Sequence, residues 1–241
     1  LAGHFTVPSA LDSPKALAAK TAAGLIEDGM KVGLGSGSTA ALMVRFLAGR
    51  LADEGLRIVA VATSRATAEL AASLGIPLRE LDDLSHLDLN LDGADEIDPQ
   101  FRMIKGRGGA LLREKIVASA STRRVTIITS DKRVERLGLT VPIPVEVSPF
   151  GMTHTEQHLQ KLGATTTVRK SSDGSVFSTD GGNAIIDCQF AEPIEPETLD
   201  SQLQRLAGVL DTGLFIGLCD VLVVANTHDV ETIQTGVARV Q

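Results

Sequence analysis

Residues 30–55 read MKVGLGSGSTAALMVRFLAGRLADEG, and the three textures in that stretch decide the fold. Residues 30–34 form a short apolar run, the glycine-rich GLGSGST (33–39) follows, and an apolar pattern of helical period completes the unit. Strand, glycine turn and helix in this order are the opening of a βαβ unit with a parallel sheet. Working outward, residues 14–28 (PKALAAKTAAGLIED) read as a preceding helix, with Ser13 as cap, Pro14 at the first position and Gly29 as stop. Downstream come a strand (57–63), a helix (64–74) ended by Gly75, a strand (87–91), a helix (110–121) and a strand (124–129). The expectation is a three-layer, doubly wound, mostly parallel α/β sheet of Rossmann-like type.

The texture changes at VPIPVEVSPF (141–150), where Pro142, Pro144 and Pro149 end the alternation. Behind it are a helix (155–162), two strands (165–171 and 175–180) meeting near Asp173-Gly174, a strand (183–190) and a helix (196–210). This pattern predicts a small inserted α+β domain of ferredoxin-like type over 143–214. Residues 1–142 and 215–241 then form the main domain, with CDVLVVA (219–225) rejoining its sheet.

A chain of 241 residues with 43% hydrophobic residues is long enough for one large core plus a smaller one. No apolar run reaches the roughly 18 to 20 residues that a bilayer requires, and the first fifteen residues lack the layout of a signal peptide. The expectation is a soluble cytoplasmic protein. The net charge of −7, with Phe as the only aromatic residue, argues against nucleic acid and anionic membranes. The basic residues nevertheless cluster locally, from Lys105 to Lys115 and from Arg123 to Arg133, and a local field decides what a cleft binds. Cys188 and Cys219 match no zinc or redox spacing and read as buried small residues. His154 and His158 lack the adjacent glutamate of a zinc-protease helix and read as surface residues.

The loop GLGSGST lies where free backbone N–H groups and a helix dipole favour an anion, and Ser36, Ser38 and Thr39 add hydroxyl donors. No lysine follows as in a Walker A loop, and Ser38 stands where a dinucleotide fingerprint needs its third glycine. Two alternatives stay open, a tight turn without ligand and an NADP site using Arg65.

The acidic run LDGADEID (91–98) begins like a calcium loop, but Pro99 stands where the bidentate glutamate belongs, and Leu87, Leu89 and Leu91 alternate as a strand. At the carboxyl end of a parallel strand, with Gly93 turning the chain at positive φ, Asp92 and Asp95 would face one cleft. A solvated acidic turn is the alternative. Next comes IKGRGGALLREKI (104–116), with Glu114 on a helix whose i±3 and i±4 neighbours are Ala110, Leu111, Val117 and Ala118. Partial desolvation would raise its pKa toward that of a general base, with Lys105 and the N–H groups of Gly106, Gly108 and Gly109 stabilising an oxyanion. A structural pair between Glu114 and an arginine is the competing reading.

At this point the residues resemble the ribose-5-phosphate isomerases of type A. The likeness rests on GLGSGSTA (33–40), LDGADEID (91–98), KGRGGALLREKI (105–116), SDKRVERLG (130–138), VPIPVEV (141–147) and GGNAIIDC (181–188). The resemblance implies phosphate binding by Ser36, Gly37, Ser38 and Thr39, with Lys15 as a further candidate. It implies sugar contacts from Asp92, Asp95 and Lys105, with Asp92 or Asp95 assisting ring opening, a pocket lined by Gly93, Ala94, Gly106, Arg107 and Gly108, and a substrate contact from Lys132. Glu114 falls on the proton-transfer base. Arg107 interrupts the KGGGG run often seen in the family. The resemblance further implies interconversion of ribose 5-phosphate and ribulose 5-phosphate without metal or cofactor, by a homodimer or homotetramer. The reading from a different class is a sugar-phosphate sensor that lacks the chemistry.

Overall fold

Ser13 accepts the Ala16 N–H on its hydroxyl and Pro14 occupies the first helical position, so α1 (Pro14–Ala23) starts as its sequence predicts. The structure, a computed structural model, describes residues 13–236. The leading segment, with its expected lack of a signal peptide, lies largely outside the described residues. Helix α1 ends at Ala23, short of the expected Asp28, because the Arg50 guanidinium takes the carbonyls of Ala23 and Ile26 at 2.6 and 2.8 Å. Those carbonyls are satisfied without a further turn.

The chain then forms β1 (Lys31–Leu34), α2 (Gly37–Glu54), β2 (Val59–Ala62), α3 (Arg65–Ser73) and β3 (Leu87–Gly93). Two short strands, β4 (Glu96–Ile97) and β5 (Met103–Ile104), precede α4 (Leu111–Ser119) and β6 (Ser121–Thr129). Next come β7 (Ile143–Val147), α5 (Met152–Lys161), β8 (Ala164–Val168), β9 (Ala184–Phe190), α6 (Pro196–Gln204) and β10 (Val209–Thr212). The chain closes with β11 (Leu214–Phe215), β12 (Val221–Ala225) and β13 (Val230–Gln234).

The main sheet has the order β13-β12-β6-β3-β1-β2, and only β13 runs antiparallel to its neighbour. Its core is aliphatic, from Val32, Leu34, Leu89, Leu91, Val125 and Val223 to Met43 and Leu47 of α2. The doubly wound expectation holds, with the 219–225 segment supplying β12 beside β6. Since the chain leaves β1 toward β2 on one side and leaves β3 toward β6 on the other, the loops after β1 and β3 diverge. Such a switch point at the carboxyl ends of parallel strands leaves a crevice for a ligand. No described helix is long and apolar enough to cross a membrane.

A second sheet, β10-β7-β9-β8, is wholly antiparallel and packs with α5 and α6 around Ile143, Val145, Ile186, Leu159 and Leu203. Three local expectations are corrected here. The prolines of VPIPVEV conceal an inner strand, β7, in which the Pro144 carbonyl still accepts the Gly213 N–H at 2.7 Å. Residues 175–180 form no strand, only one bridge from Val176 to Lys170. The helix from Pro196 stops at Gln204, and beyond Gly208 (φ +94°) the chain becomes the strand β10. A third small sheet, β11-β5-β4, joins the segment before Lys105 to residues 214–215.

Candidate active site

The phosphate-type loop is shaped from beneath by a carboxylate. Asp92 Oδ1 accepts the Ser36 N–H at 3.0 Å and the Gly93 N–H at 2.8 Å. A Cβ on Gly35 would lie 2.1 Å from that same oxygen, so only glycine lets the loop cross Asp92. Gly37, at φ +89°, then turns the chain into α2. The Ser36 side chain forms no cap; it pairs with Thr63 Oγ1 at 2.7 Å, and Lys15 Nζ donates to Ser38 Oγ at 3.1 Å. An eighteen-residue helix thus presents its amino end, without a side-chain cap, beside a lysine ammonium. Dipole, N–H groups and cation all favour an anion there.

Across the crevice lies a buried charge cluster. Lys105 follows β5 and its backbone N–H is held by Gly213 O at 2.9 Å. Its Nζ donates to Gly93 O and lies 3.0 Å from Asp92 Oδ2 and 3.2 Å from Glu114 Oε2. Exposure is only 6% for Lys105, 4% for Asp92 and 5% for Glu114, so the charges interact with little water between them. Burial, reinforced by the Asp92 charge, pushes the Glu114 carboxyl up to about 7 despite the opposing pull of Lys105. Burial alone would lower the Lys105 ammonium, but the carboxylates of Asp92 and Glu114 outweigh it and hold the pKa above its ordinary value. The apolar neighbours of Glu114 are buried as its helical spacing requires. Its cationic partner is Lys105, and no arginine pairs with it among the described residues.

A cleft of about 390 Å³ connects the two halves. Ser36, Gly37, Ser38, Thr39 and Lys15 line one end, and Gly93, Ala94, Asp95, Lys105, Gly106, Arg107, Gly108, Glu114 and Lys132 line the rest. Of the residues given a role in the site from the sequence, Asp92 and Gly109 are absent from the wall: Asp92 sits beneath the loop and behind Lys105, and the Gly109 N–H, expected to face an oxyanion, donates instead to Gly106 O at 3.0 Å. The two aspartates therefore do not face one cleft. Gly93 is extended strand, paired to Ile127, and does not turn the chain at positive φ. Strand β3 consequently runs on through Asp92, and Asp95 comes after the strand has ended.

The other acids of LDGADEID are structural. Glu96 accepts the N–H groups of Gly138 and Val141 at 2.8 and 3.1 Å, together with the Thr140 hydroxyl. Asp98 pairs with Arg102 at 2.6 Å. Arg65, the residue an NADP phosphate would need, is occupied with Asp180, which accepts its backbone N–H at 2.7 Å and its guanidinium through the carbonyl at 3.2 Å. Sequence reasoning missed Thr63, which anchors Ser36 from the end of β2, and Arg169, whose guanidinium reaches the carbonyls of Gly106 and Arg107 from the second sheet. Position after a parallel strand marks Thr63, whereas no local signal marks Arg169.

Fold and site together define a class of α/β protein in which one cleft at the switch point joins an anion-favouring helix terminus to a buried acid–base cluster. The chain belongs to the family Ribose 5-phosphate isomerase A (phosphoriboisomerase A), whose model matches residues 59–229. It is 48% identical over 215 residues to ribose-5-phosphate isomerase A of Roseiflexus sp. (strain RS-1), covering 89% of this chain and 92% of that protein. To the Gloeobacter violaceus protein of the same name it is 46% identical, over 95% of this chain and 99% of that one. Among solved structures, ribose 5-phosphate isomerase A from Methanocaldococcus jannaschii superposes with a TM-score of 0.87 at 35% identity, covering 91% of this chain and 97% of that chain. A D-ribose-5-phosphate isomerase in complex with phospho-erythronic acid gives the same TM-score and coverage at 34% identity.

Proposed function

We propose that this protein interconverts D-ribose 5-phosphate and D-ribulose 5-phosphate through an enediolate, a step of the non-oxidative pentose phosphate pathway. The observation that carries the reading is Glu114, buried, raised to about 7 and 3.2 Å from Lys105, on the same cleft as the phosphate-type loop. The phosphate binds at Ser36, Gly37, Ser38 and Thr39 with Lys15 and Lys132. Asp95, the aspartate on the cleft wall, moves the proton that opens the sugar ring. Glu114 takes the C2 proton, the electron pair passes into a C1–C2 double bond, and O1 takes up a proton. The same carboxyl then returns its proton to C1 while the O2 proton is released and the ketone forms. The two carbons are neighbours and the enediolate is planar, so one carrier serves both. Lys105 and the N–H groups of Gly106 and Gly108 stabilise the oxygen charge, those of Arg107 and Gly109 being taken by Asp95 and the Gly106 carbonyl, and Asp92 holds Lys105 and the phosphate loop in one frame. The phosphate grip orients the sugar and contributes to turnover as well as to affinity.

The relative solved with phospho-erythronic acid supports this chemistry, because a carboxylate has the planarity and negative charge of an enediolate. A sensor without chemistry is not favoured: it has no use for a desolvated glutamate beside an ammonium. The division into a main domain and an inserted unit over 143–214, subunit contact through that unit, assembly as a homodimer or homotetramer and cytoplasmic residence belong to the same proposal and rest on the family resemblance. The test is whether the purified protein converts ribose 5-phosphate to ribulose 5-phosphate in the presence of a chelator. Absence of conversion, or conversion only with added metal, defeats the reading.

A further inference from the structure

The turn that carries Lys105 into α4 is gripped from the second sheet. Arg169 follows β8, and its backbone N–H is fixed to Ile185 O at 2.9 Å. On one side its guanidinium pairs with Asp187 of β9, Nε to Oδ2 at 2.9 Å and Nη2 to Oδ1. From the other side Nη1 donates to Gly106 O at 2.8 Å and to Arg107 O at 3.1 Å. The next link is in the same peptide unit. Across a planar trans peptide the C=O and N–H point in opposite directions, so a donor on Gly106 O fixes where the Arg107 N–H points. That N–H donates to Asp95 Oδ2 at 3.0 Å.

We infer that Arg169 is a positioning residue for Asp95, acting through the peptide between Gly106 and Arg107. The inference rests on the reading of Asp95 as the ring-opening group. Gly106, at φ +104°, has wide conformational freedom, and the single turn bond from the Gly109 N–H to its carbonyl, at 3.0 Å, does not by itself define that peptide's orientation. A guanidinium does, because its rigid fork bonds a carboxylate along one edge while a further N–H reaches carbonyls, and Asp187 keeps the fork from rotating. The chain Asp187, Arg169, peptide, Asp95 thus links the antiparallel sheet to a carboxylate on the cleft wall. Arg107 enters only through its backbone, which explains why a side chain is accepted at a position where the family often has glycine.

The experiment is a double-mutant cycle on the full chain, with ribose 5-phosphate as substrate and each variant checked by thermal melt. Arg169→Ala is expected to lower kcat by about 10- to 100-fold with KM changed less than about threefold, the size of effect that misplacing a reacting group produces. In an Asp95→Asn background, where a displaced side chain has no carboxylate role left to lose, Arg169→Ala should cost less than about threefold further. Equal losses in both backgrounds, or a loss confined to KM, overturn the inference. Should Arg169→Ala fail to fold, Arg169→Lys, which pairs with Asp187 but lacks the planar fork, runs through the same cycle: a kcat loss that shrinks in the Asp95→Asn background supports the inference, and an equal loss overturns it. Failure of the functional reading is recognised separately, since the unaltered protein would then not isomerise the substrate at all.

Discussion

Glu114→Gln should separate function from stability in opposite directions. The substitution keeps shape and removes the ionisable group, so turnover is expected to fall by about 10² to 10⁴ while substrate affinity stays largely intact. The stability effect follows from the buried carboxyl, raised from an ordinary 4.5 to about 7. Below pH 4.5 native and unfolded chains both carry the proton, and the group is neutral in its effect. Between 4.5 and 7 the unfolded chain gives up a proton that the native state retains, so rising pH costs stability. Above 7 the native state holds a buried charge at a constant penalty. At roughly 1.4 kcal/mol per pH unit, that penalty is on the order of 3 kcal/mol, and glutamine does not incur it. Urea denaturation at pH 8 should therefore find Glu114→Gln more stable than the unaltered protein, and at pH 4.5 nearly equal to it. Near-normal turnover would refute the role as base. Loss of stability at pH 8, or a difference independent of pH, would refute the desolvation argument.

Other outcomes follow from the same geometry. The acidic limb of kcat/KM should rise with pH through an inflection near 7, because the base must be ionised; an inflection near 4.5 would show an unperturbed glutamate. Gly35→Ala places a Cβ 2.1 Å from Asp92 Oδ1, and the displaced loop should raise KM at least about tenfold and cost about 1–3 kcal/mol in urea melts. An unchanged KM would mean that the loop does not hold the substrate. Lys132→Ala should raise KM by about tenfold with kcat nearly unaltered, the signature of lost uniform binding. A fall in kcat at constant KM would contradict a binding role.

Much of the fold is legible because its signals are local. The period-2 run before Asp92 and the helical period after Thr39 survive in the structure as β3 and α2. The failures have identifiable causes. Leu199, Leu203, Leu206 and Leu210 continue a helical spacing, yet Gly208 at positive φ breaks the chain there and leaves Leu210 in an edge strand. Strands β4, β5 and β11 are two residues each, too short to show a period, and while β4 and β5 pair across a short turn, β11 meets β5 from more than a hundred residues away. Pro144 hides β7 because a missing N–H normally argues against an inner strand.

The site divides along the same line. Desolvation of Glu114 is written in its i±3 and i±4 neighbours, and the anion-favouring loop is written in its glycines and hydroxyls, since both depend on residues adjacent along one helix or one turn. Three-dimensional packing decided the placement of Asp92 beneath the loop and of Asp95 on the cleft wall, the partnership of Lys105 with Asp92 and Glu114, and the reach of Arg169 into the 106–107 peptide. Those contacts join segments from two sheets and several turns, and side-chain direction at a strand's end depends on where pairing stops. Spacing in the chain carries the chemistry of each group; only the folded packing sets which groups meet.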